Sequence, residues 1–220
     1  MTTLLPHYGL LLIDIQQAFN HPTFWGPGTR STPAFEANVE SLLATFRDVV
    51  SPADIFHVCH HSTLPNSPLN PLWDSGNSSS NSSNSGVAFM PCAAPLVSEP
   101  TFTKSVNSAF IGTNLEAAIR GRGITVLVVA GLTTDHCVST TVRMAANLGI
   151  VGTGAGQKIM LVSDATATWA RGLGDLVFDA ETVHAVQLAS LGGEFCEVMT
   201  TAQVLMELTV DNWRNDKIHR

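Results

Sequence analysis

Apolar runs along this chain alternate with apolar residues set at helical spacing, and the two patterns take turns from end to end. Residues 8–13 form a short apolar run, residues 54–60 alternate, and residues 124–130 are almost free of polar side chains and rich in β-branched ones. The last of these is the pattern of a strand buried on both faces, as in a parallel sheet covered by helices on either side. Between them, Phe35, Val39, Leu42, Leu43 and Phe46 recur at helical spacing and predict a helix over about 33–49, with Pro33 in its first turn. Further strands are predicted at 101–103, 159–162 and 195–199, and further helices at 114–120, from about His136, at 176–191 and at 202–208. Gly131 is expected to break the central run, with Thr133, Thr134 and Asp135 supplying cap oxygens for the helix that follows. This alternation predicts an α/β fold: a three-layer α/β/α sandwich around a mainly parallel central sheet, Rossmann-like in topology.

Composition narrows the picture. With 220 residues and 45% hydrophobic content the chain suits one globular domain, expected to span 1–220. A formal charge of −7 offers no electrostatic footprint for nucleic acid or an anionic membrane. No apolar run approaches the roughly 20 residues needed to cross a bilayer. The apolar start lacks a basic leader and reads as a first strand. The four cysteines (Cys59, Cys92, Cys137 and Cys196) show no C-x-x-C spacing, so neither a disulfide framework nor a zinc finger is indicated, and a cytoplasmic location is the expectation. Residues 75–86 contain only Ser, Asn and Gly and are expected to form a surface insertion. The polar tail, 211–220, is expected to fray or to reach a neighbouring subunit.

Three chemistry-bearing residues, Asp14, Lys104 and Cys137, each follow a predicted strand. In a parallel sheet all three gather at its carboxyl edge, where open α/β sheets bind ligands. A carboxylate can take a thiol proton, and an ammonium can stabilise both carboxylate and thiolate. Cys137 is expected in the first turn of its helix, where unpaired N–H groups and the helix dipole favour thiolate. Each residue also has a plainer reading: Cys137 as a small core residue, Asp14 as a turn cap, Lys104 as a solvated surface lysine.

The motifs are specific in combination. LLIDIQQAF (11–19), FTKSVNSAFIGTNLEAAIRGRGI (102–124), VLVVAGLTTDHCVSTTVRMAANLGI (126–150) and LVSDATATWA (161–170) resemble, in order, the isochorismatase-like cysteine hydrolases. That superfamily includes nicotinamidases, N-carbamoylsarcosine amidases, ureidoacrylate and biuret hydrolases, and isochorismatases. The resemblance implies Asp14 as general base, Cys137 as nucleophile and Lys104 as their cationic partner. It further implies a cis peptide between Leu132 and Thr133, which would aim the Thr133 N–H, with that of Cys137, at an oxyanion. The implied reaction is hydrolysis of an amide- or urea-type C–N bond in a small molecule, and the implied assembly is a homo-oligomer, a dimer or tetramer.

Departures from the family pattern are informative. Nicotinamidases carry an Asp-x-His metal element, whereas Asp54 stands three residues before His57 in this chain, so no metal and no cofactor are expected. His60 or His61 is expected to face the substrate or to hydrogen-bond within its loop. Phe19, Trp25, Phe89, Phe110 and Trp169 flank the matched motifs and are candidate pocket walls, with core packing as the alternative for each. Ser108 is a candidate for orienting substrate, with a turn or capping role equally open. A Cys137–His136 dyad ranks below Asp14, because adjacent helical side chains diverge by about 100°. Two other activities remain open: isochorismate hydrolysis, which needs no sulfur nucleophile, and a binding protein that kept the fold.

Overall fold

The computed structural model describes residues 6–73 and 86–218, with side chains up to residue 211. Six parallel strands form its central sheet: β1 (Tyr8–Ile13), β2 (Ile55–His60), β3 (Thr101–Lys104), β4 (Val126–Leu132), β5 (Lys158–Ala167) and β8 (Glu197–Met199). Their order is β3-β2-β1-β4-β5-β8, so the sheet grows outward in both directions from β1 and β4. Two further strands, β6 (Arg171–Leu173) and β7 (Leu176–Phe178), form a separate antiparallel hairpin. Among the described residues five α-helices flank the sheet: α1 (Phe35–Val49), α2 (Leu115–Arg122), α3 (Ser139–Asn147), α4 (Ala180–Leu191) and α5 (Thr201–Ile218).

The period of two along each strand divides the core. Leu10 and Leu12 of β1, Val126, Val128 and Ala130 of β4, and Met160 and Val162 of β5 face one layer with Phe35, Val39, Leu42, Leu43 and Phe46 of α1 and Val204 and Leu208 of α5. Leu11 and Ile13, Leu127 and Val129, and Ile159 and Leu161 face the other, with Leu115 and Ile119 of α2, Val142 and Ala145 of α3 and Leu191 of α4. Burying a side chain of this kind contributes about 1.5–3 kcal/mol each, which is why unbroken apolar runs become central strands. The expected three-layer α/β architecture is the one observed.

Four elements differ from the sequence expectation. β4 does not stop at Gly131 but passes through it in a bulge against β5 and ends at Leu132, because a residue without Cβ can lie directly against the Ile13 backbone. β5 continues through polar residues to Ala167, so Asp164 and Ala165 lie inside the strand rather than beyond its end. There the Asp164 carboxylate accepts from the Thr201 N–H at 2.7 Å and hydroxyl at 2.8 Å, which ties β5 to the start of α5. Residues 176–178 form β7 instead of a first helical turn, since Asp179 caps α4 by accepting from the Thr182 N–H at 2.8 Å. α5 runs on to Ile218 where a short helix and fraying tail were expected. The Ser/Asn-rich stretch expected as an insertion lies outside the described residues, apart from Gly86.

Candidate active site

The carboxyl edge of the sheet assembles the site strand by strand. β1 ends at Ile13, and Asp14 follows with a φ of 52°, a left-handed conformation that few residues other than Gly, Asn and Asp accept. Its own N–H still donates to Val58 O at 2.9 Å, so the chain turns out of the sheet at this residue. Lys104 is the last residue of β3, two strands from β1, a separation of about 9.6 Å at ordinary strand spacing. Its long stem passes His60 of β2, its register neighbour, to reach Asp14. From the other side, β4 delivers the turn that carries Cys137.

Lys104 Nζ lies 2.6 Å from Asp14 Oδ2, 3.3 Å from Cys137 Sγ and 3.0 Å from His60 Nδ1. Asp14 is fully buried, Lys104 nearly so, and Cys137 is 8% exposed. Asp14, Lys104 and Cys137, singled out from sequence, are therefore brought into direct contact. Asp14 Oδ1 and Thr133 Oγ1 are buried with no hydrogen-bond partner among the described residues. Asp14, His60 and Cys137 present atoms within 4.8 Å of one another, a spacing that suits a metal ion. Lys104 Nζ bonds to each of the three, so an ammonium already supplies the positive charge at the centre of that group.

Burial dominates the electrostatics. It pushes the Asp14 carboxyl above its ordinary range, with the Lys104 charge and hydrogen bond opposing. Burial, followed by the Asp14 charge, pushes the Cys137 thiol up as well, and Lys104 opposes that shift too. His60 is pushed down to about 4, first by burial and then by the Lys104 and His61 charges. Burial therefore works against the thiolate that a helix end favours. Cys137 sits in a five-residue π-helical turn, Thr134–Val138, that runs directly into α3 and so opens the helical segment, as expected. The desolvation of an almost enclosed thiol outweighs what a nearby helix end supplies.

The other candidates sort clearly. The Leu132–Thr133 peptide is cis, as the resemblance implied, and Thr133 O accepts from the N–H groups of His136 and Val138 at 3.1 and 3.2 Å. Phe19 packs against Trp25 and Trp169, at ring centroid distances of 4.2 and 5.9 Å. Phe19 and Trp169 are buried in the α1 layer, so this cluster has the character of packed core. Phe110 lies in the same layer as Cys137, and Phe89 stands edge-on to His57 at 5.8 Å. The Ser108 hydroxyl contacts Met144 Sδ at 2.8 Å and accepts from the Phe110 N–H at 3.3 Å, the capping alternative. His136 is exposed and pairs with Asp135 at 3.6 Å, so the rival dyad does not form. Asp135 is itself held by Arg171 at 2.6 Å and by the Thr168 hydroxyl at 2.5 Å.

Two residues at the site were not singled out from sequence. The Gln16 carboxamide grips the His60 backbone at both ends, accepting from its N–H at 2.8 Å and donating to its carbonyl at 3.1 Å. Asn107 Oδ1 lies 3.9 Å from Cys137 Sγ. Both stand inside motifs that carry the resemblance, which was the available signal. An open groove lined by His7, Tyr8, Asp54 and Arg122 lies at the opposite edge of the sheet. Its charges are spent on each other, His7 and Arg122 meeting Asp54 at 3.0 and 2.5 Å, so it is a structural pairing rather than the centre of the chemistry.

The fold agrees with what comparison finds. The isochorismatase domain family matches residues 8–203. The chain is 36% identical over 197 residues to the uncharacterized isochorismatase family protein YrdC of Bacillus subtilis, covering 89% of this chain and 93% of that protein. A second B. subtilis relative, YddQ, is 30% identical over 204 residues, covering 89% of this chain and 97% of that protein. The crystal structure of an isochorismatase-family protein from Chromobacterium violaceum superposes with a TM-score of 0.77 at 36% identity, covering 95% of this chain and 96% of that one. A cysteine hydrolase from Pseudomonas syringae shares the fold, with a TM-score of 0.72 at 21% identity and coverage of 96% and 100%. The sheet of this fold carries an acid, a cation and a thiol in contact at its carboxyl edge. The chain belongs to the isochorismatase family of hydrolases. Among the described residues no helix is long and apolar enough to cross a membrane.

Proposed function

We propose that the protein is a cysteine hydrolase that cleaves an amide- or urea-type C–N bond in a small molecule. The observation that carries this reading is the single ammonium of Lys104 set between a buried carboxylate and a buried thiol, 2.6 and 3.3 Å away. A thiol held protonated beside a carboxylate is poised for concerted transfer: Cys137 gives its proton to Asp14 as sulfur attacks the carbonyl carbon. The tetrahedral oxyanion is met by the N–H groups of Thr133 and Cys137. The C–N bond breaks as Asp14 returns the proton to the departing nitrogen, leaving a thioester. Water then attacks with Asp14 as base, the C–S bond breaks, and the thiolate recovers the proton as the carboxylic acid leaves. Lys104 balances negative charge as it moves between carboxylate and sulfur. Isochorismate hydrolysis gives the buried thiol no task, and nothing in the geometry favours it.

The test is release of ammonia or amine from a panel of primary amides and ureas by the wild type and by Cys137→Ala, Asp14→Asn and Lys104→Ala. Turnover by the wild type with a loss of about 10³-fold or more in each variant is the expected result. Turnover that survives Cys137→Ala refutes the covalent route, and cleavage of isochorismate with no C–N substrate in the panel refutes the reaction class.

A further inference from the structure

An ammonium carries three N–H donors and no acceptor. Those of Lys104 meet three acceptors: Asp14 Oδ2 at 2.6 Å, His60 Nδ1 at 3.0 Å and Cys137 Sγ at 3.3 Å. We propose that His60 is a positioning residue of this site, its Nδ1 taking one N–H of Lys104 so that the other two are aimed at Asp14 and Cys137. This inference rests on the cysteine-hydrolase reading above and adds a fourth residue to it.

Three observations build the case. The first is direction: an ammonium can only donate, so Nδ1 must be bare and the imidazole proton must sit on Nε2. Nε2 makes no hydrogen bond among the described residues. The second is rigidity. Gln16 holds the His60 backbone through both its N–H and its carbonyl, while the parallel register sets His60 beside Lys104. The ring is thereby fixed at the one strand that Lys104 must cross to reach Asp14. The third is charge. Lys104 from β3 and His61, next in the chain, face the ring, with Asp14 of β1 and Cys137 beyond the ammonium. Burial first and then the Lys104 charge hold the imidazole down at about 4, so it is a bare acceptor throughout the neutral range.

Without that acceptor the ammonium has no fixed third partner, and its placement between acid and thiol is lost. The sign of the effect follows. Lys104 opposes the upward push of burial on Asp14. A displaced Lys104 therefore lets Asp14 ionise only at higher pH, and attack by Cys137, which needs Asp14 as base, moves up with it.

The test uses the full-length protein and no substrate. Iodoacetamide alkylation of Cys137 is followed by peptide mass spectrometry across pH for the wild type, His60→Leu, His60→Asn and His60→Gln. Leu removes both ring nitrogens. Asn places an acceptor oxygen at the position of Nδ1, and Gln places its polar atoms further out, near Nε2. For His60→Leu the acid limb of the profile is expected to move up by about one pH unit, with labelling about tenfold slower on that limb. Asn is expected to restore the limb and Gln to leave it displaced. A merely structural role would alter stability without moving the limb and without distinguishing Asn from Gln. An unmoved limb in His60→Leu, or equal failure of Asn and Gln, overturns the proposal. Nitrogen-15 spectra of the wild-type imidazole supply an independent reading: a proton on Nε2 alone supports it, and one on Nδ1 refutes it. If wild-type Cys137 labels no faster than a free thiol, the hydrolase reading fails by itself, and the spectra still decide the role of His60.

Discussion

Gly131→Ala places one methyl group where the sheet has no room for it. Gly131 of β4 pairs in register with Ile13 of β1, the residue before Asp14. A Cβ at this position would stand 2.7 Å from Ile13 N and 2.8 Å from Ile13 C, with the Ile13 carbonyl oxygen nearer still. Ordinary van der Waals contact begins at about 3.4 Å, so β1 must retreat from β4 by roughly 0.6–1.3 Å, against a strand spacing of about 4.8 Å. The residue also has a φ of +132°, a conformation that L side chains rarely adopt. Clash and strain together should cost about 3–5 kcal/mol, a large share of the 5–15 kcal/mol that typically holds a domain folded. Because Asp14 follows Ile13 directly, any retreat of β1 also pulls the carboxylate from Lys104, and a displacement near 1 Å is worth about 100-fold in rate. Urea unfolding of Gly131→Ala measures the first effect and amide hydrolysis the second. Gly174→Ala is the control: its φ is +59°, but nothing lies within 4 Å of the added methyl, so strain alone should cost about 1 kcal/mol. Equal losses for the two variants would refute the close-approach argument.

Other substitutions test separate links. Lys104→Met keeps the stem and removes the ammonium; Asp14 then becomes a neutral buried acid, and hydrolysis should fall by about 10³-fold with little loss of fold, checked by steady-state kinetics beside circular dichroism. Glu99 lies buried beneath Arg47 at 2.7 Å, His57 at 2.9 Å and the Leu96 N–H at 2.8 Å. Burial pushes its carboxyl up, but these donors outweigh it and hold the group at about 2. A depressed carboxyl contributes stability that is whole above its ordinary 4.5 and is lost as pH falls toward 2. Glu99→Gln should therefore lose about 2–4 kcal/mol at pH 7 and show a flatter decline on acidification, read from urea midpoints at several pH values. Arg171 joins Asp135, two residues before Cys137, to the Trp25 carbonyl, both at 2.6 Å. Arg171→Met should cost about 2 kcal/mol in a thermal melt and raise KM more than it lowers kcat; an unchanged KM would show that this tie does not shape the substrate pocket.

How far the sequence could be read depended on whether local pattern or long-range partners decided each element. β1 and β4 are legible because burial on both faces leaves an apolar run with no helical period, and β2 is legible from its alternation; the carboxyl ends of β1 and β4 then place Asp14 and Cys137 on one edge. Lys104 was legible as a residue ending a strand, but its reach across β2 needed the sheet order. Polar residues concealed the end of β5: Asp164 is satisfied by Thr201 and Asn38, both far away in sequence. The β6–β7 hairpin is hidden in sequence, since Leu176, Val177 and Phe178 are apolar in strand or helix alike and only the Asp179 cap separates them from α4. The environment of Cys137 is hidden for a related reason. Proximity to a helix end can be seen in sequence, whereas the enclosure that raises the thiol exists only once β1, β3 and the turn have closed around it.

The reach of Lys104 makes the site a reporter on one edge seam of the sheet. β3 is a four-residue edge strand, and Lys104 is its only buried residue. Little apolar area therefore holds it, and strands of this kind open locally well below the free energy of global unfolding. Each opening carries the ammonium away from Asp14 while β1, β2 and β4 stay packed. In rising denaturant, catalysis should consequently fade before the core melts, and the gap between the two midpoints measures how firmly the edge strand is held.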